Sequence, residues 1–151
     1  MDLPRIDAHA VEVEAPAAVT WRALIDWIAR GSSKGGWTRF AQLLGCDPLQ
    51  ISGQPGEPGS TFPGFRVARS DPPHQLALEG GHRFSDYSLD FELSEHGDGR
   101  SLLTATTHAA FPGLKGQLYK TAVIRSRAHV LATKRLLDGV AQRAERATLS
   151  R

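Results

Sequence analysis

From Arg83 to Phe111 the chain reads RFSDYSLDFELSEHGDGRSLLTATTHAAF, and from Leu114 to Ala147 it reads LKGQLYKTAVIRSRAHVLATKRLLDGVAQRAERA. The first stretch alternates polar and apolar residues on both sides of a tight turn, which predicts two long antiparallel strands. The second has helical spacing and predicts one long helix. At about 3.4 Å per strand residue and 1.5 Å per helix residue, the strand Arg83–Glu95 spans roughly 44 Å and the helix roughly 50 Å. Because the two lengths match, we expect the helix to lie along a curved sheet and to enclose a cavity for an apolar molecule.

The composition is that of a single globular domain. The chain has 151 residues, of which 40% are hydrophobic and 23% are charged. A chain of this size buries about two thirds of its unfolded surface and needs no covalent staple to fold. We therefore expect one domain over residues 1–151.

Nothing in the sequence has the character of a membrane span or a secretion signal. No apolar run approaches the roughly 20 residues that a spanning helix needs. The start, Met1-Asp2-Leu3-Pro4-Arg5, lacks the apolar core of a signal peptide. We therefore expect a cytoplasmic protein without stable membrane insertion. The single cysteine, Cys46, excludes an intramolecular disulfide and a cysteine-rich zinc site.

The formal net charge is only +2, and much of the positive charge lies in the last predicted helix. Its basic residues are interleaved with Asp138 and Glu145, a pattern typical of a solvated face. They are Lys115, Lys120, Arg125, Arg127, Lys134, Arg135, Arg143 and Arg146. No nucleic-acid motif accompanies them. We expect no nucleic-acid partner. The sequence is compatible with both a monomer and a homodimer.

Before residue 83 the pattern predicts a strand, two short helices and three short strands. The predicted strands are Arg5–Glu14, Leu49–Ser52, Phe65–Ala68 and Gln75–Glu79, and the predicted helices are Pro16–Ala29 and Trp37–Leu44. The Gly- and Pro-rich segment Gly53–Gly64 is predicted to be a loop. This order is typical of an α+β domain in which an antiparallel sheet of six or seven strands packs on the C-terminal helix.

Three stretches of sequence carry a resemblance to a known family. They are Val13-Glu14-Ala15-Pro16 before a helix with Trp21, GHRFSDYSLDF from Gly81 to Phe91, and AFPGLKGQLY from Ala110 to Tyr119. With the order of elements, they resemble the START-related polyketide cyclase/dehydrase superfamily, which is similar in fold to the birch-pollen allergen. The resemblance covers nearly the whole chain. It implies a helix-grip fold with a hydrophobic cavity for lipids, polyketides, hormones or other aromatic molecules. It implies no obligatory cofactor and no shared catalytic motif.

Six histidines raise the question of a metal site. Neither the short spacing nor the helical i, i+4 spacing of zinc ligands occurs among them. They are His9, His74, His82, His96, His108 and His129. We therefore expect no metal.

His9 and His108 are a candidate pair. In the resembled fold the first strand pairs with the last, which would bring these two residues near one another. If both point inward, one neutral imidazole can hydrogen-bond the other or a ligand. The alternative is a polar pair at an edge or on the surface.

His129 is the leading candidate for orienting a ligand. It falls on one stripe of the predicted helix with Leu118, Ala122, Ala132 and Leu136. Its possible partners are Tyr119, Arg125 and Tyr87. A histidine satisfied within the core is an equally good interpretation of the same pattern.

Further candidates for contact with a ligand are Tyr87, Phe91 and Trp37. Tyr87 and Phe91 share the apolar face of the long strand, and a buried phenol needs a hydrogen-bond partner. That partner is either a ligand carbonyl or the backbone and water. Trp37, at the head of the short helix beside a glycine-rich segment, is placed to line a cavity mouth.

Three functions remain open at this point. The first is binding of a small hydrophobic or aromatic molecule, lipid-like or polyketide-like, between the C-terminal helix and the sheet. The second is a cyclase or dehydratase that uses general acid–base catalysis in the same cavity. The third is an interaction module that acts through the basic helix or the loop Gly53–Gly64. No catalytic residue is identified, since Cys46 has no adjacent base and no nucleophile motif is present.

Overall fold

The described residues form six strands and four helices. The computed structural model describes residues 3–150, apart from the side chains of residues 123–126. The strands are β1 (Arg5–Val13), β2 (Thr61–Phe62), β3 (Phe65–Asp71), β4 (Gln75–His82), β5 (Ser85–Glu95) and β6 (Ser101–Ala110). The helices are α1 (Ala17–Ser32), α2 (Gly35–Leu44), α3 (Gly113–Ser126) and α4 (Ala128–Leu149).

These strands form one antiparallel sheet in the order β1-β6-β5-β4-β3-β2. Alternate side chains point to its inner face. Leu76 and Leu78 on β4, Phe91 and Leu93 on β5, and Leu103 on β6 are all at most 4% exposed. The predicted α+β helix-grip fold is confirmed: two helices follow the first strand, and the C-terminal helix packs on a six-stranded sheet.

The C-terminal helix α4 is held in place by one apolar face. Leu137, Val140, Ala141 and Ala144 are at most 6% exposed and recur at helical spacing. They belong to the same core cluster as residues of α1, β1 and the inner face of the sheet. The core therefore lies between α4, α1 and the sheet.

The prediction of one continuous C-terminal helix is wrong. The helical segment is divided at Arg127, whose φ of 53° lies in the left-handed region. The apolar residues of α3 are spread around the helix, and Leu114 and Leu118 are 85% and 73% exposed. Because α3 has no apolar stripe, it has no face to bury against the core, and packing does not keep it collinear with α4. The stripe from Leu118 to Leu136 is therefore not one face of one helix.

The strand predicted at Leu49–Ser52 is also absent. Ser52 makes only an isolated bridge with Thr61, and the two-residue strand β2 lies inside the segment predicted to be a loop. Gly53 follows Ser52 with a φ of 73°, so the chain turns before a longer ladder forms. In contrast, β3 and β4 extend beyond their predicted ends.

Gly80 on β4 allows a close approach between two parts of the backbone. A Cβ atom added there would lie directly against the carbonyl oxygen of Gly64 and 2.8 Å from the ring of Tyr87. Tyr87 lies opposite Gly80 in the β4–β5 register, and its hydroxyl donates a hydrogen bond to the Gly64 carbonyl at 2.7 Å. The segment before β3 is thereby tied to β5 across a glycine.

We predict that Gly80→Ala lowers the free energy of unfolding by about 1–3 kcal/mol, because backbone atoms must shift to admit the methyl group. Gly36→Ala is the matched control, since a Cβ atom at Gly36 in α2 meets nothing within 4 Å. The control should keep the stability of the parent or gain up to about 1 kcal/mol. Urea denaturation of both variants measures the difference, and equal stabilities would contradict the close approach.

Candidate functional site

A cavity of about 470 Å³ lies between α4, the end of α1 and the inner face of the sheet. Its volume is within the range of about 300–1,000 Å³ that is typical of small-molecule sites. Most of its lining is apolar. The principal apolar side chains are Trp27, Ile28, Phe65, Leu89, Phe91 and Leu136.

The alternation of the strands supplies the wall of this cavity. Leu78 on β4 pairs with Leu89 on β5, and Phe91 follows two residues later on the same face. From the opposite side, α4 contributes Thr133 and Leu136. The cavity thus continues the apolar core into a region where α4 and the sheet are not in contact.

Three basic side chains complete the lining: Arg30 from the end of α1, Lys34 before α2 and Arg143 from α4. The part of the lining that the structure describes contains no aspartate or glutamate. Arg143 is half-buried, so its assignment to a solvated face was wrong. The signal that identifies it is the spacing Leu136, Val140, Arg143, which places the arginine on the inward face of the helix.

Asp7, His9 and His129 form a polar group at the inner face, which we call the Asp7 cluster. Nε2 of His129 lies 2.8 Å from Oδ2 of Asp7, and Nε2 of His9 lies 3.3 Å from the same oxygen. The three side chains are largely buried, with 19–23% of their surfaces exposed. Among the described residues, no hydrogen-bond partner reaches Oδ1 of Asp7 or Nδ1 of His129.

The Asp7 cluster adjoins the cavity along α4. The hydroxyl of Thr133, a lining residue, donates a hydrogen bond to the backbone carbonyl of His129 at 2.8 Å. His129 therefore lies one helical turn before the lining. His9 and His129 were predicted from the sequence as site residues, whereas Asp7 was not. The available signal was the period-two pattern of β1, which puts Asp7 on the same face as His9.

His9 and His108 do not come together. In the register of β1 and β6, His9 lies opposite Ala105, and His108 lies opposite Arg5, beyond the register shift between Arg5 and Asp7. His108 is on the outer face of the sheet, with its Nδ1 atom 3.5 Å from Oδ2 of Asp90. Burial raises the pKa of the Asp90 carboxyl, and the nearby His108 opposes that rise. The two histidines therefore do not form the candidate inward pair, and His108 is a polar residue on the surface of the sheet.

Tyr87 and Tyr119 lie in an aromatic cluster with His82 and Phe84, outside the cavity lining described above. The ring centroid of Tyr119 is 4.9 Å from that of His82 and 5.3 Å from that of Phe84. Burial raises the pKa of both phenols, most strongly for Tyr87, so each hydroxyl stays protonated. Burial also lowers the pKa of His82, with Asp86 acting in the opposite direction. The Tyr87 hydroxyl is already satisfied by the Gly64 carbonyl.

The remaining candidates are placed as follows. Phe91 is 1% exposed and lies in the cavity wall. Trp37 also lines the cavity, is 38% exposed, and donates from Nε1 to the carbonyl of Pro63 at 2.9 Å. It therefore stands where the cavity meets solvent. The side chain of Arg125 lies outside the described residues.

No group of three or more His, Cys, Asp or Glu side chains in the described part of the chain has the arrangement of a metal site. None of the helices found there combines the length and the apolar character needed to cross a bilayer.

Comparison with known proteins identifies the fold. No family model and no curated protein matches this sequence. Norcoclaurine synthase from Thalictrum flavum is 14% identical, with a TM-score of 0.59 over 97% of this chain and 89% of that chain. CalU16 from Micromonospora echinospora is 16% identical, with a TM-score of 0.54 over 97% and 92%. Protein MLL2253 from Mesorhizobium loti is 13% identical, with a TM-score of 0.55 over 93% and 98%. At these identities the similarity establishes the fold alone, and it agrees with the predicted helix-grip fold.

The position of Tyr87 leads to a prediction that separates a structural role from a ligand contact. Tyr87→Phe should lower the free energy of unfolding by about 1 kcal/mol, because a hydrogen bond to a buried carbonyl is lost. Tyr119→Phe is the control, since the described residues provide no hydrogen bond to its hydroxyl, and it should change stability by less than about 0.5 kcal/mol. Urea denaturation measures both. A Tyr87→Phe variant as stable as the parent would contradict the structural role.

Proposed function

We propose that this protein binds a small, mainly apolar molecule, lipid-like or polyketide-like, in the cavity between α4 and the inner face of the sheet. The observation that carries this proposal is the volume of about 470 Å³ lined by Leu89, Phe91, Leu136 and other apolar side chains. Transfer of apolar surface from water into such a site is the main source of affinity. Burial of about 300 Å² of ligand surface contributes roughly 7 kcal/mol before association costs of several kcal/mol, so we expect micromolar or weaker binding unless polar contacts add to it.

The fold supports the same proposal. A point mutant of norcoclaurine synthase from Thalictrum flavum, 15% identical with a TM-score of 0.56, has been solved in complex with a transition-state analogue. A protein of this fold therefore accommodates a small molecule. The residues that line the cavity of the present chain are its own. The identity of its ligand therefore has to be inferred from these residues and not from the ligand of norcoclaurine synthase.

We predict that Leu136→Trp weakens binding of the neutral fluorescent probe N-phenyl-1-naphthylamine by at least about tenfold, because the larger side chain fills the cavity. Leu131→Trp is the matched control: Leu131 is on the same helix, is 53% exposed, and lies outside the lining. Its affinity should stay within about twofold of the parent. Fluorescence titration of the three proteins measures the effect. If the parent binds the probe and Leu136→Trp binds it equally well, the probe does not bind in this cavity.

A second candidate function, general acid–base catalysis on a bound carbonyl compound, is favoured by the Asp7 cluster. A carboxylate that accepts from Nε2–H of His129 at 2.8 Å fixes the proton on that nitrogen and leaves the lone pair on Nδ1. In the described part of the chain this Nδ1 atom has no hydrogen-bond partner. A ligand that extends past Thr133 and displaces the side chains covering Nδ1 would meet a base oriented by a carboxylate, the arrangement needed to take a proton next to a carbonyl group.

For this second function we predict catalysed exchange of the acidic C–H protons of benzoylacetone in D2O, followed by NMR. His129→Gln should remove the catalysed exchange, because glutamine has no basic nitrogen, while binding of N-phenyl-1-naphthylamine stays within about twofold. Asp7→Asn should reduce the rate by about 10²-fold or more, since the orienting charge is lost. His108→Gln, on the outer face, is the control and should exchange at the parent rate. If the parent protein gives no exchange above buffer, the catalytic role is rejected and the binding role is unaffected.

A further inference from the structure

A second pocket, of about 390 Å³, adjoins the cavity and is lined by Trp27, Arg30, Gly139, Arg143 and Arg146. It shares Trp27, Arg30 and Arg143 with the cavity lining. We infer that the guanidinium groups of Arg30, Arg143 and Arg146 form a subsite for the anionic end of the ligand, which makes the ligand an amphiphilic organic anion. This inference rests on the proposed binding function and adds the chemical class of the molecule bound.

The geometry follows from how α1 and α4 meet. Arg143 and Arg146 are three residues apart on α4, and Trp27 and Arg30 are three apart on α1, so each pair shares a helix face. A Cβ atom on Gly139 would lie 2.6 Å from Nε1 of Trp27. Because Gly139 has no side chain, the indole packs against the backbone of α4 and forms the wall between the two pockets. An apolar body in the cavity is therefore next to the three guanidinium groups.

No carboxylate among the described residues pairs with the positive charges in this region. The described residues that line the two pockets include no aspartate or glutamate. The ion pairs found among the described residues do not involve Arg30, Arg143 or Arg146. Like charges held close together repel each other, and an anion of the ligand would remove this repulsion. Guanidinium groups are suited to this task because they bind carboxylate, sulfonate or phosphate oxygens through two parallel N–H bonds.

Helix dipoles explain only part of this arrangement. Arg30 lies in the last turn of α1 and Arg146 in the last turn of α4, where a positive charge is stabilised without any ligand. Arg143 is in neither position and is half-buried on the inward face of α4. Lys34 adds a further positive charge to the cavity lining. Arg143 is therefore the residue on which the inference is best tested.

The test compares two fluorescent probes that share one apolar body. 8-Anilinonaphthalene-1-sulfonate carries a sulfonate, and N-phenyl-1-naphthylamine does not. We expect the sulfonate to bind at least about tenfold more tightly, because charge-assisted hydrogen bonds add to the same apolar contact. Arg143→Gln should reduce this preference, which is the ratio of the two affinities measured on the same variant, to about twofold or less. Raised ionic strength should also reduce the preference for the sulfonate, since the site is open to solvent and its charges are screened by salt.

Arg135→Gln is the matched control, because Arg135 is an exposed arginine on the same helix outside both linings. It should keep the full preference for the sulfonate. Equal affinities of the parent for the two probes, or a preference that survives Arg143→Gln combined with Arg30→Gln, would overturn the anionic subsite. Binding of the neutral probe in either case would leave the proposed cavity function standing. Failure of both probes to bind would instead reject that function.

Competition then identifies the anionic group. Dodecanoate and dodecyl phosphate share an apolar chain and differ in the head group, and methyl dodecanoate has no charge. We expect one or both of the charged compounds to displace 8-anilinonaphthalene-1-sulfonate, with methyl dodecanoate at least about tenfold weaker. The better competitor distinguishes a carboxylate ligand from a phosphate ligand. Displacement by methyl dodecanoate as strong as that by the acids would overturn the subsite.

Discussion

The structure depends on the packing of one face of α4 against α1 and β1. Leu137, Val140, Ala141 and Ala144 are at most 6% exposed, so the C-terminal part of this helix has no freedom to move away from the core. Burial of four such side chains supplies several kcal/mol, at about 25 cal/mol per Å² of apolar surface. The start of α4 is attached differently, through His129, whose Nε2 atom lies 2.8 Å from Oδ2 of Asp7 on β1. Ala132, Thr133 and Leu136 lie between these two attachments and face the cavity, so a helix fixed at both ends holds the space open between them.

The sequence predicted the fold because its periods were long and consistent. The eleven residues of β5 alternate clearly enough to assign their inner face, whereas the ten residues of β6 show the strand but not which side points inward. The break at Arg127 had no comparable signal, since neither glycine nor proline marks it and a single left-handed residue divides the helix. The absence of an apolar stripe on α3 was the only local indication that the segment would not continue as one packed helix.

The candidate site was less predictable because it depends on single residues. Side chains alternate along β6, so His108 points to the outer face, whereas Ala105, which lies opposite His9, points inside. Tyr87 shares the inner face of β5 with Phe91, but a glycine opposite lets its hydroxyl reach the Gly64 carbonyl. Phe91 and Trp37 line the cavity, whereas the basic residues near it were grouped with a solvated helix face. Charge alone does not distinguish an exposed arginine from one beside a cavity; the position of Arg143 relative to Leu136 and Val140 does.

The two polar regions near the cavity place different demands on a ligand. His129 and Arg143 are separated by fourteen positions on one continuous helix, which at 1.5 Å per residue is roughly 20 Å. A compact molecule whose charge is held by Arg143 therefore does not bring a reactive carbon to His129. Only an extended molecule, with an anion at one end and a carbonyl group near the other, satisfies both regions at once. Chain length consequently separates the two candidate functions: short amphiphiles occupy the cavity without chemistry, and acid–base chemistry at His129 requires a long ligand or one that leaves the arginines unoccupied.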